Sequence, residues 1–209
     1  MNQVLKKYLK KFILIYLDDI IIYSKTFEEY KEYVKLVFEV LRVAFLMIKP
    51  KKCKFAQREL RFLEHIISAD GIRIDPKKIA KMVILQSLTN LKELRSRLGL
   101  FFYYQQYIKR FSDIMRPIYE LIREEDGKPI SFKWTPARQK VFEVIKAKLV
   151  TASVVAHPNF DKLFILYTDA SGGSVGAVLY QKDDDGRERI IVCASRTFNE
   201  HEKKYSITK

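Results

Sequence analysis

Three observations predict an α+β fold for this 209-residue chain. Apolar, β-branched runs flank Asp18-Asp19, each long enough for one strand. Residues 76–123 carry helical spacing with little strand signal. From Leu163 onward the apolar period switches to two. With 48% hydrophobic and 13% aromatic residues, the chain can bury a substantial core and is globular rather than disordered.

The first element is a β-hairpin over residues 12–23 whose turn falls at Asp18-Asp19, because Asp is a poor strand former that tolerates turn geometry. Thr26 with Glu29 then makes a capping box. Tyr30, Val34, Val37, Leu41 and Phe45 recur at helical spacing, predicting an amphipathic helix of about five turns that packs on the hairpin. Residues 49–54 form a basic loop around Pro50, and a second hairpin pairs residues 60–68 with 72–74 across a turn at Asp70-Gly71. Asp75-Pro76 starts a helix to about Gln86, Asn90 with Glu93 caps one over 91 to about 108, and 114–123 is a third. Asp126-Gly127 makes a break, and Thr135-Pro136 caps a helix to Leu149 on Val141, Val144, Ile145 and Leu149. Three strands follow at 163–168, 175–181 and 189–194, joined by Gly172-Gly173 and by Asp183-Asp184-Asp185-Gly186.

The formal charge is +14, from 39 Lys and Arg against 25 Asp and Glu. Residues 161–209 balance eight basic side chains against eight acidic ones, so the whole excess lies in residues 1–160. A basic surface confined to one region is a polyanion-binding face, and phosphate backbones are the leading polyanion; a merely solubilising charge would be spread more evenly. Cys53 and Cys193 are far apart and lack metal-type spacing. With no signal peptide, an intracellular, non-secreted and reducing setting is expected. No apolar run approaches the ~20 residues of a membrane span, so no membrane partner is expected.

Asp18 and Asp19 are the first chemical candidates. A hairpin tip that lifts two adjacent carboxylates out of a buried sheet suits hard Mg²⁺, which takes oxygen ligands, one or two of them protein carboxylates, alongside substrate phosphates in two-metal phosphoryl transfer. The plainer alternative is a solvated acidic turn, but strands this apolar leave a doubly charged tip in need of a partner. Asp169 ends an apolar run before Ala-Ser-Gly-Gly, placing a carboxylate beside small residues that admit a close backbone approach. An ordinary strand-ending Asp is the alternative there. In the helical block, Lys92, Arg95, Arg97, Tyr103, Tyr104, Tyr107, Lys109 and Arg110 interleave cations with tyrosines. Such a set meets phosphate backbones and sugar faces, or else the tyrosines are half-buried core and the cations a solvated face. His65 lies in a strand-like run as a half-buried ring, His157 precedes Pro158 in a loop, and His201 sits at a charged helix start. None has a Ser or Cys partner for nucleophilic catalysis, and no spacing implies zinc.

Tyr16-Leu17-Asp18-Asp19 resembles the Tyr-x-Asp-Asp motif of reverse transcriptases. Ser24-Lys25-Thr26, Pro50-Lys51-Lys52-Cys53-Lys54-Phe55, Phe62-Leu63-Glu64-His65-Ile66-Ile67-Ser68 and Asp70-Gly71-Ile72 follow in the order seen in Pol polyproteins of Ty3/gypsy-type LTR retrotransposons. Lys92-Glu93-Leu94-Arg95-Ser96-Arg97-Leu98-Gly99-Leu100, Phe132-Lys133-Trp134-Thr135, Thr168-Asp169-Ala170-Ser171, Gly176-Ala177-Val178-Leu179 and Ala194-Ser195-Arg196 complete the series, which spans residues 12–208. The resemblance implies partial polymerase palm hairpins (residues 1–67), a helical thumb (68–128) and the start of an RNase H-like domain with a truncated three-stranded sheet (129–209). It implies RNA-directed DNA synthesis with Mg²⁺ or Mn²⁺, with Asp18 and Asp19 as catalytic metal ligands at the 3′-hydroxyl and Asp169 as the first catalytic metal ligand of RNase H. It also implies nucleic-acid contacts from Tyr16, His65, Lys92, Arg95, Arg97 and Tyr104. The implied partners are an RNA template, a DNA primer, an RNA–DNA hybrid and the remainder of a Pol polyprotein.

The same resemblance marks departures. The family's other palm aspartate lies well before its Tyr-x-Asp-Asp hairpin, yet no acid occurs among the 15 residues before Tyr16, and the fingers are absent. Tyr205-Ser206-Ile207-Thr208-Lys209 resembles the helix entry just before the second RNase H carboxylate. Glu64 stands where the family has Gly in the hairpin that touches the primer, which sets a negative charge near phosphates. The family's prolines around residues 86–90 and after Ile108 are missing. The expectation is a truncated fragment, inactive by itself, with one face of its RNase H-like sheet exposed. The alternatives are a non-catalytic nucleic-acid-binding protein derived from a retroelement and an unselected product that folds poorly.

Overall fold

The two apolar runs around Asp18-Asp19 pair as the antiparallel hairpin β1 (Ile13–Tyr16) and β2 (Asp19–Ile22) in a computed structural model that describes residues 1–84, 88–122, 124–125, 128–129 and 132–205. The fold is α+β, divided into the units Met1–Arg58 and Glu59–Lys209. In the first unit, Ile13 pairs with Ile22 and Ile15 with Ile20, and all four join a core with Leu5, Phe12, Val37 and Leu41 beneath α1 (Phe27–Val43). A slip of one residue would turn that face to water, so burial sets the register and leaves only Leu17-Asp18 to close the turn. The left-handed conformation therefore falls on Leu17 (φ 52°) and not on an aspartate, as turn preference alone would suggest.

The expected capping box starts α1: the Glu29 N–H donates to Thr26 Oγ1 and the Thr26 N–H to Glu29 Oε2. The helix ends at Val43, sooner than its apolar spacing predicts. Phe45 turns left-handed (φ 55°), and the N–H groups of Phe45 and Leu46 donate back to the carbonyls of Arg42 and Leu41. Phe45 is consequently 93% exposed, and the core face runs through Tyr33, Leu36, Val37, Val40 and Leu41, leaving out Tyr30, Val34 and Phe45.

The second unit opens with an antiparallel meander, β3 (Glu59–Phe62), β4 (His65–Ser68) and β5 (Gly71–Ile74). The stretch expected as one strand over 60–68 is itself a hairpin that turns at Leu63-Glu64, both left-handed (φ 46° and 65°). Neither residue favours such a turn, and distant partners hold it. The Tyr103 hydroxyl donates to the Leu63 carbonyl at 2.9 Å, the Asp75 N–H to the Glu64 carbonyl at 3.0 Å, and the Lys78 ammonium pairs with the Glu64 carboxylate.

Asp75 caps α2 (Pro76–Val83) and Asn90 caps α3 (Leu91–Tyr103); a 3₁₀ turn at Gln105–Tyr107 leads to α4 (Phe111–Tyr119). The expected single helix to residue 108 is cut because Tyr104 leaves the helical region, and the next helix begins early, after a left-handed Arg110 (φ 55°). Gln86, Arg123, Asp126-Gly127 and Ser206-Ile207-Thr208-Lys209 lie outside the described residues. β6 (Glu124–Glu125) pairs with β7 (Lys128–Pro129). Thr135 caps α5 (Pro136–Val150), which buries Phe142, Ile145 and Leu149. Phe142 packs edge-on against Phe101, with ring centroids 5.2 Å apart, and this rotation leaves Val144 exposed where the apolar spacing predicts it inward.

β8 (Ile165–Ala170), β9 (Ser174–Lys182) and β10 (Glu188–Thr197) form the three-stranded sheet, in the order β10-β9-β8. β8 continues past its predicted end, so Asp169 lies in the ladder opposite Gly176 instead of after it. Leu163 and Leu166 remain exposed. Among the described residues, no helix is long and apolar enough to cross a membrane.

Between α5 and β8, Val155 pairs with Ile72 of β5 through bonds of 2.8 and 3.0 Å, while the Ala156 N–H donates to the Ile190 carbonyl at 2.7 Å. The segment thereby stitches the meander to the three-stranded sheet. Gly71 permits it: its φ is 134°, and an added Cβ would lie 2.1 Å from the Val155 carbonyl oxygen. Gly71→Ala is expected to cost about 2–3 kcal/mol, read as a lower midpoint in urea unfolding. Gly99→Ala, in α3 with nothing within 4 Å of the added carbon, is expected to leave the midpoint unchanged or raise it.

Candidate metal and nucleic-acid sites

Tyr16 and Asp19 form the last pair of the β1–β2 ladder, and Asp18 lies in the turn, so both aspartates sit at the tip of the hairpin. Tyr16, Asp18 and Asp19 are all exposed. Among the described residues neither carboxylate takes part in an ion pair or hydrogen bond. Adjacent hard oxygen donors of this kind fit part of a divalent-cation site. They do not complete one, because among the described residues no three His, Cys, Asp or Glu side chains gather into a metal-holding group, whereas two ions need carboxylates on both.

In the second unit α3 buries Leu94, Leu98 and Phe101 on one side. On the other it presents Lys92, Ser96, Gly99 and Tyr103 in a line at helical spacing, with Arg95 beside them, all exposed. Bare backbone at Gly99 leaves the middle of this stripe open to a closely approaching strand. Ser96 and Gly99 are the residues that sequence reasoning missed. The available signal was a glycine inside a helix, which costs about 0.8–1 kcal/mol relative to Ala, set at helical spacing from Lys92 and Tyr103.

The other expected contacts separate. Arg97 lies off the stripe, its charge acting on Glu93. Tyr104 is 0% exposed, which corrects its assignment to a nucleic-acid face. Its hydroxyl donates to Glu64 Oε2 at 3.2 Å, and burial raises its pKa. Glu64, expected to oppose phosphates, is matched by Lys78, whose hydrogen bond lowers the carboxyl pKa. His65 is half-buried among the rings of Tyr103, Tyr104 and Tyr107, at 5.3, 5.6 and 5.8 Å, with Nδ1 2.7 Å from the Leu63 carbonyl. It supports the Leu63-Glu64 turn from behind.

At Asp169 the side chain is 65% exposed, and Arg110 Nε stands 3.7 Å from its Oδ2 and 3.0 Å from Asp113 Oδ2. Asp113, 19% exposed, also accepts hydrogen bonds from Ser171 Oγ at 2.8 Å, from Arg116 Nη2 at 2.7 Å and from the Ser174 hydroxyl. Partial burial pushes the Asp113 carboxyl up, but the two hydroxyls and Arg110 outweigh it and hold the group at about 2. The Ser112 N–H donates to Ser195 Oγ at 2.9 Å, so the first turn of α4 engages the Asp169 end of the sheet from β8 through β10.

Residues 1–67 match the family described as reverse transcriptase (RNA-dependent DNA polymerase), and residues 134–209 match the RNase H-like domain found in reverse transcriptase. Over 99% of its length the chain is similar, at 36% identity, to the retrovirus-related Pol polyprotein from transposon 297 of Drosophila melanogaster. The chain belongs to the reverse transcriptase and RNase H family of LTR-retrotransposon Pol polyproteins. This Pol chain spans 19% of that relative's length. It is also similar to the foamy viral protease-reverse transcriptase dRH in complex with double-stranded DNA, with a TM-score of 0.85 at 28% identity over 98% of this chain and 35% of the other. The foamy viral protease-reverse transcriptase in complex with RNA/DNA hybrid matches with a TM-score of 0.82 at 28% identity, over 98% of this chain and 27% of the other.

Because the Asp113 pKa in the folded Pol chain lies below its ordinary 3.8, the stability it contributes is complete above pH about 4 and is lost as pH falls through about 2. Urea unfolding across pH 4 to 2 is expected to show a steeper loss of stability in the wild type than in Asp113→Asn. Equal slopes would remove Asp113 from this role.

Proposed function

We propose that this Pol chain takes part in RNA-directed DNA synthesis by supplying Asp18 and Asp19 to divalent ions at the primer 3′-hydroxyl and by holding duplex phosphates on the α3 stripe. The observation that carries this proposal is the pair of exposed carboxylates, free of cationic partners among the described residues, at the end of an apolar hairpin. When bound there, Mg²⁺ or Mn²⁺ supplies the positive charge that phosphoryl transfer requires. The chain's own part is positional: the β1–β2 register carries both carboxylates at one tip, with Tyr16 beside them. Residues 1–67 are then the C-terminal part of a palm, 68–128 a thumb and 129–209 the N-terminal part of an RNase H-like domain in which Asp169 is a metal ligand. RNA template, DNA primer and RNA–DNA hybrid are the nucleic-acid partners, the remainder of a Pol polyprotein is the protein partner, and the setting is intracellular. The double-stranded DNA and RNA/DNA hybrid held by the similar foamy viral proteins support the duplex partner.

By itself the chain is inactive on this proposal, since Asp18 and Asp19 meet no further carboxylate in a metal-holding group among the described residues. Purified chain is expected to leave a primer unextended on RNA or DNA with either ion. Extension that disappears in Asp18→Asn would overturn the inactivity while supporting the role of Asp18.

Binding of an RNA–DNA hybrid, followed by fluorescence anisotropy, is expected to weaken steeply as salt rises. Lys92→Ala with Arg95→Ala should weaken it for every sequence and reduce the salt slope by about 2, one for each lost phosphate contact. Salt-insensitive binding, or none at low salt, would overturn the nucleic-acid role. A non-catalytic binding protein of retroelement origin, which the α3 stripe supports equally, would pass this test yet tolerate Asp18→Asn after the rest of the polymerase is supplied.

A further inference from the structure

We propose that Arg110 is a positioning residue that docks α4 on the Asp169 end of the β8–β9–β10 sheet and competes with a divalent cation for the Asp169 carboxylate. The proposal rests on the assignment of Asp169 as a metal ligand. Its basis is a single guanidinium shared by two carboxylates on different elements, Asp113 of α4 at 3.0 Å and Asp169 of β8 at 3.7 Å.

The surroundings converge on that arrangement. Arg110 is held left-handed (φ 55°), a conformation that L-residues adopt rarely and that surrounding contacts must enforce. Arg116, also bonded to Asp113, lies across the β8–β9 turn so closely that an added Cβ on Gly173 would be 2.8 Å from its guanidinium carbon. Lys109, next in the chain, donates to the Tyr180 hydroxyl of β9 at 2.5 Å. Lys109, Arg110 and Arg116 therefore all contact the sheet or its β8–β9 turn, and Arg110 stands as the cation beside Asp169. A metal ion at Asp169 would meet the Arg110 charge and draw away its partner, so docking and metal loading oppose each other by the same factor.

The test uses the full chain with isotope-labelled amides and Mn²⁺ as the probe. Mn²⁺-dependent broadening of amides from Asp169 to Gly176 is expected to half-saturate at a concentration about two- to five-fold lower in Arg110→Gln than in wild type, the range open to an exposed ion pair. Hydrogen exchange should quicken several-fold at Ser171 and Phe198, whose N–H groups bond the Ser174 and Gly173 carbonyls. Asp113→Asn, which frees Arg110 for Asp169, should shift half-saturation the opposite way. Unchanged exchange in Arg110→Gln would overturn the docking role, and unchanged half-saturation would overturn the competition. Absence of broadening in every protein would instead remove Asp169 as a metal ligand, and the competition with it, leaving exchange to decide the docking role.

Discussion

Backbone pairing between Ile72 and Val155 encloses the whole helical block of the second unit within one long loop. Closing a loop costs entropy that grows only slowly with its length, and the buried cluster around Met82, Leu98, Phe101, Phe142 and Leu149 offsets it. Two further contacts converge on the same turn: His157 Nε2 lies 2.7 Å from the Ser68 carbonyl, and Arg189 donates to the Asp70 carbonyl at 3.3 Å. The turn admits this approach only because Gly71 has no side chain. The close approach of Val155 to this turn thus depends on the missing side chain at Gly71.

Helix packing then decides which side chains are left for chemistry. α3 directs Leu94, Leu98 and Phe101 into the core, so Lys92, Arg95, Ser96 and Gly99 are turned outward by the geometry of the helix itself. Tyr104, one residue past the helix, is drawn fully inward, where its hydroxyl finds the Glu64 carboxylate. A buried tyrosine hydroxyl usually finds such a partner, and here the partner also secures the Leu63-Glu64 turn.

Four left-handed residues other than glycine mark points where contacts outside the turn override local preference. Leu17 adopts this conformation at the Asp18-Asp19 tip, Leu63 and Glu64 beneath the tyrosine cage, and Arg110 at the Asp113–Asp169 junction. Leu17 adjoins Asp18, and Arg110 itself pairs with Asp169, which fits strain held by an over-determined surrounding structure.

Much of the fold was legible in the sequence. The Asp18-Asp19 hairpin, the caps at Thr26, Asp75, Asn90 and Thr135, the α+β grouping and the three late strands all follow from residues a few positions apart. Their hydrogen bonds and apolar spacing are local, so sequence alone determined them, and the motif order determined the family. The Leu63-Glu64 turn, the end of α3, the burial of Tyr104 and the pairing of Arg110 with Asp169 were invisible there. Each depends on partners brought together by folding: Tyr103 with Leu63, Lys78 with Glu64, Asp113 with Ser171. A turn without turn-forming residues, or a carboxylate with its own guanidinium, exists because tertiary bonds outweigh local preference, and only the tertiary structure decided it.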